Sequence, residues 1–242
     1  MGVQQQGAGK DKPVEGQPMV LLFDYDGTIH KSDATYVPAF RKVLAYLDEV
    51  GHPLGREVTD DEIGYWLGFS ARDMWEQFAP ELPDELKKTC SSMVGEEMRR
   101  LTKEGKAELY PGVLDALDEL RAEGNRTLFV SNCQHEYLEM HRTAFHLERH
   151  FDGFYCCADY GWIPKADLFP TIREKWGSGR PDREEFLMVG DRFHDMELAR
   201  KWGLKSVGCA YGFGARDEIA DATAIAETPE ELLASVHAAM RA

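Results

Sequence analysis

The chain has 242 residues and carries 28 basic against 43 acidic side chains, a formal charge of −15. That excess repels phosphate backbones, so nucleic acid is not an expected partner. Apolar residues make up 43%, and no apolar run nears the roughly 18 residues of a membrane span, so a membrane is not expected either.

Residues 1–17, polar and rich in Gly, Gln and Pro, read as a loose tail without the apolar segment of a signal peptide. The first apolar run is "MVLLF" (19–23), short enough for a strand buried on both faces. Directly behind it, "FDYDGTI" places Asp24 and Asp26 one residue apart. From Thr28 to Pro111 only helical signals follow: Tyr36, Phe40, Val43, Leu44 and Leu47 at helix spacing, a capping-box pair Thr59 and Glu62, then Trp75 and Phe78, then Leu86, Cys90, Met93 and Val94. A stretch of that length is too long for a loop. It reads as an all-helical domain over residues 34–107 with its own apolar core, inserted into an α/β core made of residues 18–33 and 108–242.

The second half alternates. "PGVLDALDELRAEG" (111–124) has Pro111 near a helix start, one apolar stripe and Gly124 as a stop. Strand-like runs follow at 127–130, 153–158, 186–189 and 206–210. Among them lie the helical stretch "DMELARKWG" and, at the end, "TPEELLASVHAAM", with Thr228 and Glu231 as a capping box. The pattern predicts a Rossmann-like parallel sheet with helices on both faces. The five cysteines, Cys90, Cys133, Cys156, Cys157 and Cys209, are an odd number without C-x-x-C spacing, so neither a disulfide framework nor a zinc ribbon is indicated, and a reducing cytoplasm fits. Cys156 and Cys157 should face opposite sides of their strand, and Cys133 borders Asn132. His146 and His150, four apart on an expected helix with His141 upstream, read as surface residues rather than metal ligands.

In open α/β sheets, reactive groups gather beyond the carboxyl ends of the strands. There the chain carries Asp24 and Asp26, then Ser131 and Asn132, then Asp191 after Gly190, and Lys165 beyond the third run. Carboxylates held this close repel one another unless a cation shares the site, and Mg²⁺ suits hard oxygen donors with positions left for water and phosphate. An ionised aspartate can then attack phosphorus, and a second carboxyl can protonate the leaving oxygen and later activate water. Alternation along an extended chain turns Asp24 and Asp26 to one side and Tyr25 away. Gly27 would let the backbone approach a phosphate closely. Each residue also has a plainer reading: Asp-x-Asp-Gly as a turn, Ser131 and Asn132 as helix caps, Lys165 as a solvated lysine, Asp195 as a helix N-terminal charge.

Taken together, the chain from residue 19 onward resembles the haloacid dehalogenase superfamily. It is most similar to the phosphatases with a helical cap after the first strand, the group of phosphoglycolate phosphatase and beta-phosphoglucomutase. "FDYDGTI" matches the first motif, "VSN" (130–132) the second and "VGDRFHD" (189–195) the fourth. The resemblance implies that Asp24 is the nucleophile and a metal ligand. It implies that Asp26 is the general acid/base and gives its main-chain carbonyl to the metal, and that Ser131 binds phosphoryl oxygens with Asn132 beside it. By the same likeness Asp191 is a metal ligand, Asp195 a supporting carboxylate and Lys165 the third-motif lysine, with Lys175 a distant rival. Two departures stand out: "KADLFP" follows Lys165 where many relatives have Pro-x-Pro, and Arg192 stands where Ser or Thr is common.

The function expected is a Mg²⁺-dependent phosphomonoesterase hydrolysing a small phosphorylated metabolite through an aspartyl phosphate. Sugar phosphomutase is the alternative within the superfamily, and a noncatalytic phospholigand-binding protein the alternative outside catalysis. Asp26 argues against dehalogenation, and the lack of a lysine between Lys42 and Lys87 argues against Schiff-base phosphonate chemistry. The loop "GFSAR" (68–72) is a candidate substrate loop, with Arg72 read as a surface residue. Monomer is the default expectation for assembly, with dimer as the alternative.

Overall fold

A computed structural model of the chain describes residues 18–179 and 185–242; the tail expected over residues 1–17 lies outside them. Six strands form one all-parallel sheet: β1 (Val20–Phe23), β2 (Arg126–Ser131), β3 (Gly153–Cys156), β4 (Phe186–Gly190), β5 (Lys205–Cys209) and β6 (Ala224–Ala226). Their order is β3-β2-β1-β4-β5-β6, so β1 is central, with Leu22 opposite Leu128 on one side and Met188 on the other. Its residues alternate between two apolar layers. Leu21 and Phe23 join one, Val20 and Leu22 the other. Burying each of these large side chains contributes roughly 1.5–3 kcal/mol, which leaves polar residues room only where the strand stops. That is the position of Asp24.

The first layer is covered by α5 (Val113–Ala122), α6 (His135–Phe145) and α9 (Leu232–Arg241), the second by α7 (Lys165–Trp176) and α8 (Phe193–Trp202). Cys156 and Cys157 fall in opposite layers, although β3 ends at Cys156 and Cys157 already opens a 3-10 turn, where the expected run continued to residue 158. Chain order reverses between β1 and β4, and the crevice above such a switch point is where ligands bind in open α/β sheets.

Between β1 and α5 run four helices: α1 (Asp33–Glu49), α2 (Asp60–Tyr65), α3 (Ala71–Phe78) and α4 (Asp84–Lys103). They share an apolar cluster built on Phe40, Val43, Leu47, Trp75 and Phe78. The segments entering and leaving this bundle run side by side: Lys31 N donates to Glu108 O at 2.8 Å and Tyr110 N to Ile29 O at 3.0 Å. No described helix is long and apolar enough to cross a membrane.

Several local expectations are corrected. β6 has only three residues, too few for an apolar run to stand out. Thr59 does cap α2 through its hydroxyl, but the Glu62 carboxylate turns to Arg56 instead of closing the box. Thr228 makes no side-chain cap: a 3-10 turn over Pro229–Glu231 intervenes, and Glu231 accepts the Glu227 N–H. His146 and His150 do not share a helix. α6 stops at Phe145, His146 adopts the left-handed cap conformation, and His150 turns to Asp118 at 2.7 Å.

Candidate active site

Four elements bring four charged side chains to the rim above β1 and β4. Asp24 follows β1, Asp191 follows β4, Asp195 sits in the first turn of α8, and Lys165 opens α7. The Lys165 ammonium donates to Asp24 Oδ1 and to Asp195 Oδ1, each at 2.7 Å. Oxygens of Asp24, Asp191 and Asp195 lie within 4.8 Å of one another, all three buried. One ammonium therefore faces three carboxylates away from water. Burial first, then Asp195, pushes the Asp24 carboxyl up to about 7 against the opposing pull of Lys165. Burial, then Asp24 and Asp195, holds Asp191 well above the ordinary carboxylate range. Burial acts to strip the proton from Lys165, but Asp195 and Asp24 outweigh it and keep the ammonium charged.

A divalent cation fits this arrangement. The donors are hard oxygens, negative charge is in excess, and Asp191 Oδ1 is buried with no partner among the described residues. Its companion Oδ2 accepts the Phe213 N–H at 2.7 Å. The loop carrying Phe213, "AYGFG", was not anticipated; its alternating glycines were the available signal. Asp195 caps α8, its Oδ2 accepting the Arg192 N–H at 3.1 Å, as the plainer reading expects, and its Oδ1 also accepts from Lys165.

Two glycines make the cluster sterically feasible. Gly27 has φ +83°, and a Cβ there would sit 2.2 Å from Asp191 Oδ2; a Cβ on Gly190 would meet the Asp195 carboxylate at 2.2 Å. Side chains rarely adopt that φ, and no Cβ tolerates such an approach. Gly27 thus makes room for Asp191, a different reason from the phosphate approach expected from sequence.

Asp26 has another environment. Its Oδ1 accepts from Ser32 Oγ at 2.5 Å and Tyr137 OH at 2.6 Å, with His30 Nδ1 at 3.1 Å. Burial works to raise its carboxyl, but the His30, Ser32 and Tyr137 contacts outweigh burial and hold it below the ordinary range. His30 stacks on the buried Tyr25 ring, 5.3 Å between centroids, and Tyr25 OH bonds His141 Nδ1 at 2.9 Å. Sequence reasoning missed these partners. His30 and Ser32 lie within six residues of Asp26, whereas Tyr137 is more than a hundred residues away and had no local signal.

Asp24, Asp26, Lys165 and Asp195 open into a cavity of about 190 Å³ whose far wall comes from α1, α3, α4 and the 66–70 segment. Ser131 and Asn132 line it, and the Asn132 side chain is also committed to structure, Nδ2 donating to Gly68 O at 3.2 Å and Oδ1 accepting from Cys157 Sγ at 3.2 Å. Arg192, almost fully buried, ties the two parts of the molecule. Its guanidinium donates to the carbonyls of Tyr65 and Leu67 and to Glu218, and it lies over the Phe69 ring at 4.9 Å. Of the expected substrate loop, Gly68, Phe69, Ser70 and Ala71 line the cavity; Arg72 stays 81% exposed beside Asp73. Lys175 lies on the Trp176 ring, at 5.6 Å from its centre, away from the carboxylates. The cation that does line the cavity unanticipated is Arg99 of α4, which pairs with no carboxylate among the described residues.

A family model described as haloacid dehalogenase-like hydrolase matches residues 21–209. The chain belongs to that family. Its similarity to a pyrophosphatase PpaX from Anoxybacillus flavithermus is 25% identity over 201 residues, 83% of this chain and 87% of the relative. A phosphoglycolate phosphatase from Agrobacterium fabrum is 27% identical over 201 residues, covering 80% and 81%. Among solved structures, a predicted phosphatase from Clostridium acetobutylicum superposes with a TM-score of 0.72 at 21% identity, covering 91% of this chain and 98% of that one, a likeness of fold. Within this haloacid dehalogenase-like hydrolase, the motif positions named from sequence lie on one rim.

Proposed function

We propose that this hydrolase is a Mg²⁺-dependent phosphomonoesterase acting on a small phosphorylated metabolite through an aspartyl phosphate at Asp24. The observation that carries the reading is the Lys165 ammonium bridging Asp24 and Asp195, beside the orphaned Asp191 oxygen, at the floor of a cavity. Relatives named as a phosphoglycolate phosphatase and a pyrophosphatase support phosphate release from small molecules. Residues 34–107 act in this reading as a cap on a core of residues 18–33 and 108–242.

Asp24, Asp191 and the Asp26 main-chain carbonyl would hold the Mg²⁺ with Asp195 beside it, and the bound ion supplies neutralisation of phosphoryl charge. Asp24 attacks phosphorus through a carboxylate oxygen, in line with the leaving alcohol. Lys165 and the Ser131 hydroxyl face the phosphoryl oxygens, with Asn132 beside them. Asp26 protonates the leaving oxygen and takes a proton back from the water that cleaves the acyl phosphate. In the resting site its carboxyl is held low; the negative charge of an incoming phosphate acts against that and raises its proton affinity. Trp66 and Phe69 give the cavity an aromatic wall, which in this reading limits the water that reaches the step.

The test is a panel of phosphate esters, p-nitrophenyl phosphate included, assayed with Mg²⁺ and with chelator. Phosphate release that requires the ion is expected; none from any ester with any divalent ion would overturn the reading. The Arg99 guanidinium on the cavity wall, which pairs with no carboxylate among the described residues, points to a second anionic group on the substrate. Arg99→Ala should raise KM for the best such substrate by roughly 10–100-fold, the value of one charge-assisted hydrogen bond, with p-nitrophenyl phosphate turnover little changed. Equal effects on both substrates would remove Arg99 from recognition.

A further inference from the structure

A second cluster of ligating side chains lies beside the acidic site and takes no part in the chemistry above. β2 and β3 are neighbours, with Ser131 opposite Cys156, and their carboxyl ends carry Cys133 and His135 on one segment and Cys156 and Asp159 on the other. His135 Nδ1 lies 3.0 Å from one Asp159 oxygen and 3.1 Å from the other. Ligand atoms of His135, Cys156 and Asp159 fall within 4.8 Å of one another. Cys133, two residues beyond Ser131, packs against the same core cluster as Cys156, which brings a second sulfur to this end of the strands. The cluster is invisible to spacing rules, since each strand end supplies half of it and no C-x-x-C occurs.

We propose that Cys133, His135, Cys156 and Asp159 form a binding site for a thiophilic divalent cation, Zn²⁺ by chemical class. Two sulfurs, one imidazole nitrogen and one carboxylate oxygen are the donor set of four-coordinate zinc, whereas Mg²⁺ avoids thiolates. With metal–ligand distances of about 2.0–2.3 Å, the edges of the tetrahedron are about 3.3–3.8 Å. The His135–Asp159 edge is already shorter than that, Cys156 lies within 4.8 Å of both, and Cys133 is the donor that has to move in to complete the set. Cys156 forms a buried floor, while the His135 and Asp159 side chains are exposed, so an ion has a path in from solvent. A surface His–Asp pair alone would explain two of the four residues but not the buried Cys156 sulfur within 4.8 Å of them. The site uses none of the Asp24, Asp191 and Asp195 carboxylates, although Cys133 also lines the cavity of the proposed phosphatase site.

The test uses the full chain with its thiols reduced, titrated with Co²⁺ as a coloured stand-in. A thiolate-to-cobalt charge-transfer band with strong visible absorption is expected, removed by one equivalent of Zn²⁺. Asp191→Asn, which disables the acidic site, should keep the band. Cys156→Ser should lose it, and Cys133→Ser and the exposed His135→Ala should weaken binding by more than the roughly tenfold that an outer partner costs. His135→Ala serves where a cysteine variant fails to fold. No thiolate band in the folded wild-type chain, or a band unchanged in Cys156→Ser or in His135→Ala, would overturn the site.

Discussion

Asp24→Asn is expected to lower turnover of any phosphate ester by about four orders of magnitude or more while leaving the fold intact. The amide keeps the shape and can still accept from Lys165, but it is not a nucleophile. Rapid-quench or steady-state phosphate release measures this directly, and a variant near the wild-type rate would strip Asp24 of its role. The same substitution has a stability signature with a definite sign. Burial and Asp195 raise the folded-state carboxyl from 3.8 to about 7. The stability this contributes is full below the unfolded value and is lost as pH rises through about 7. In chelator, the wild-type chain should therefore weaken between about pH 4 and 7. Asp24→Asn should show a shallower slope, with the remainder due to Asp191, whose carboxyl is raised in the same direction. Denaturant unfolding at several pH values reads both slopes, and divalent cation should flatten the wild-type one.

Lys165→Met should be the most destabilising change at the site and should also abolish turnover. The ammonium is 2% exposed, and it is the cation bonded to Asp24 and Asp195. Removing one partner of a buried ion pair costs about 3–5 kcal/mol, because the charges left behind have neither water nor a counterion. Here two carboxylates are left, and part of the cost is relieved by their taking up protons. Unfolding midpoints in chelator should drop accordingly at neutral pH and recover in part at acid pH. A Lys165→Met protein as stable at neutral pH as wild type would show that the bridge does not offset the carboxylates' repulsion.

Much of the α/β core was legible because strands buried on both faces must be continuous apolar runs. Five of the six strands announced themselves that way. β6, with three residues, did not. The acidic residues of the rim were legible for the complementary reason, since a carboxylate immediately after such a run can only lie where the strand leaves the core. Helix ends were read less well. Thr228 and Glu231 have the right spacing for a capping box, yet a 3-10 turn satisfies the backbone another way. His146 fits a helix periodicity but ends α6 in the left-handed region.

The sequence by itself determined the alternation of strand and helix, the helical stretch after the first strand, and the identity of the acids at the rim, because each depends on neighbours in the chain. Tertiary structure alone decided the partners. Lys165 bridging Asp24 and Asp195, Tyr137 on Asp26, Arg192 on the 65–67 carbonyls, Arg99 on the cavity wall and His135 beside Cys156 and Asp159 all join segments distant in sequence. Such contacts are set by which faces pack together, and no local pattern encodes them.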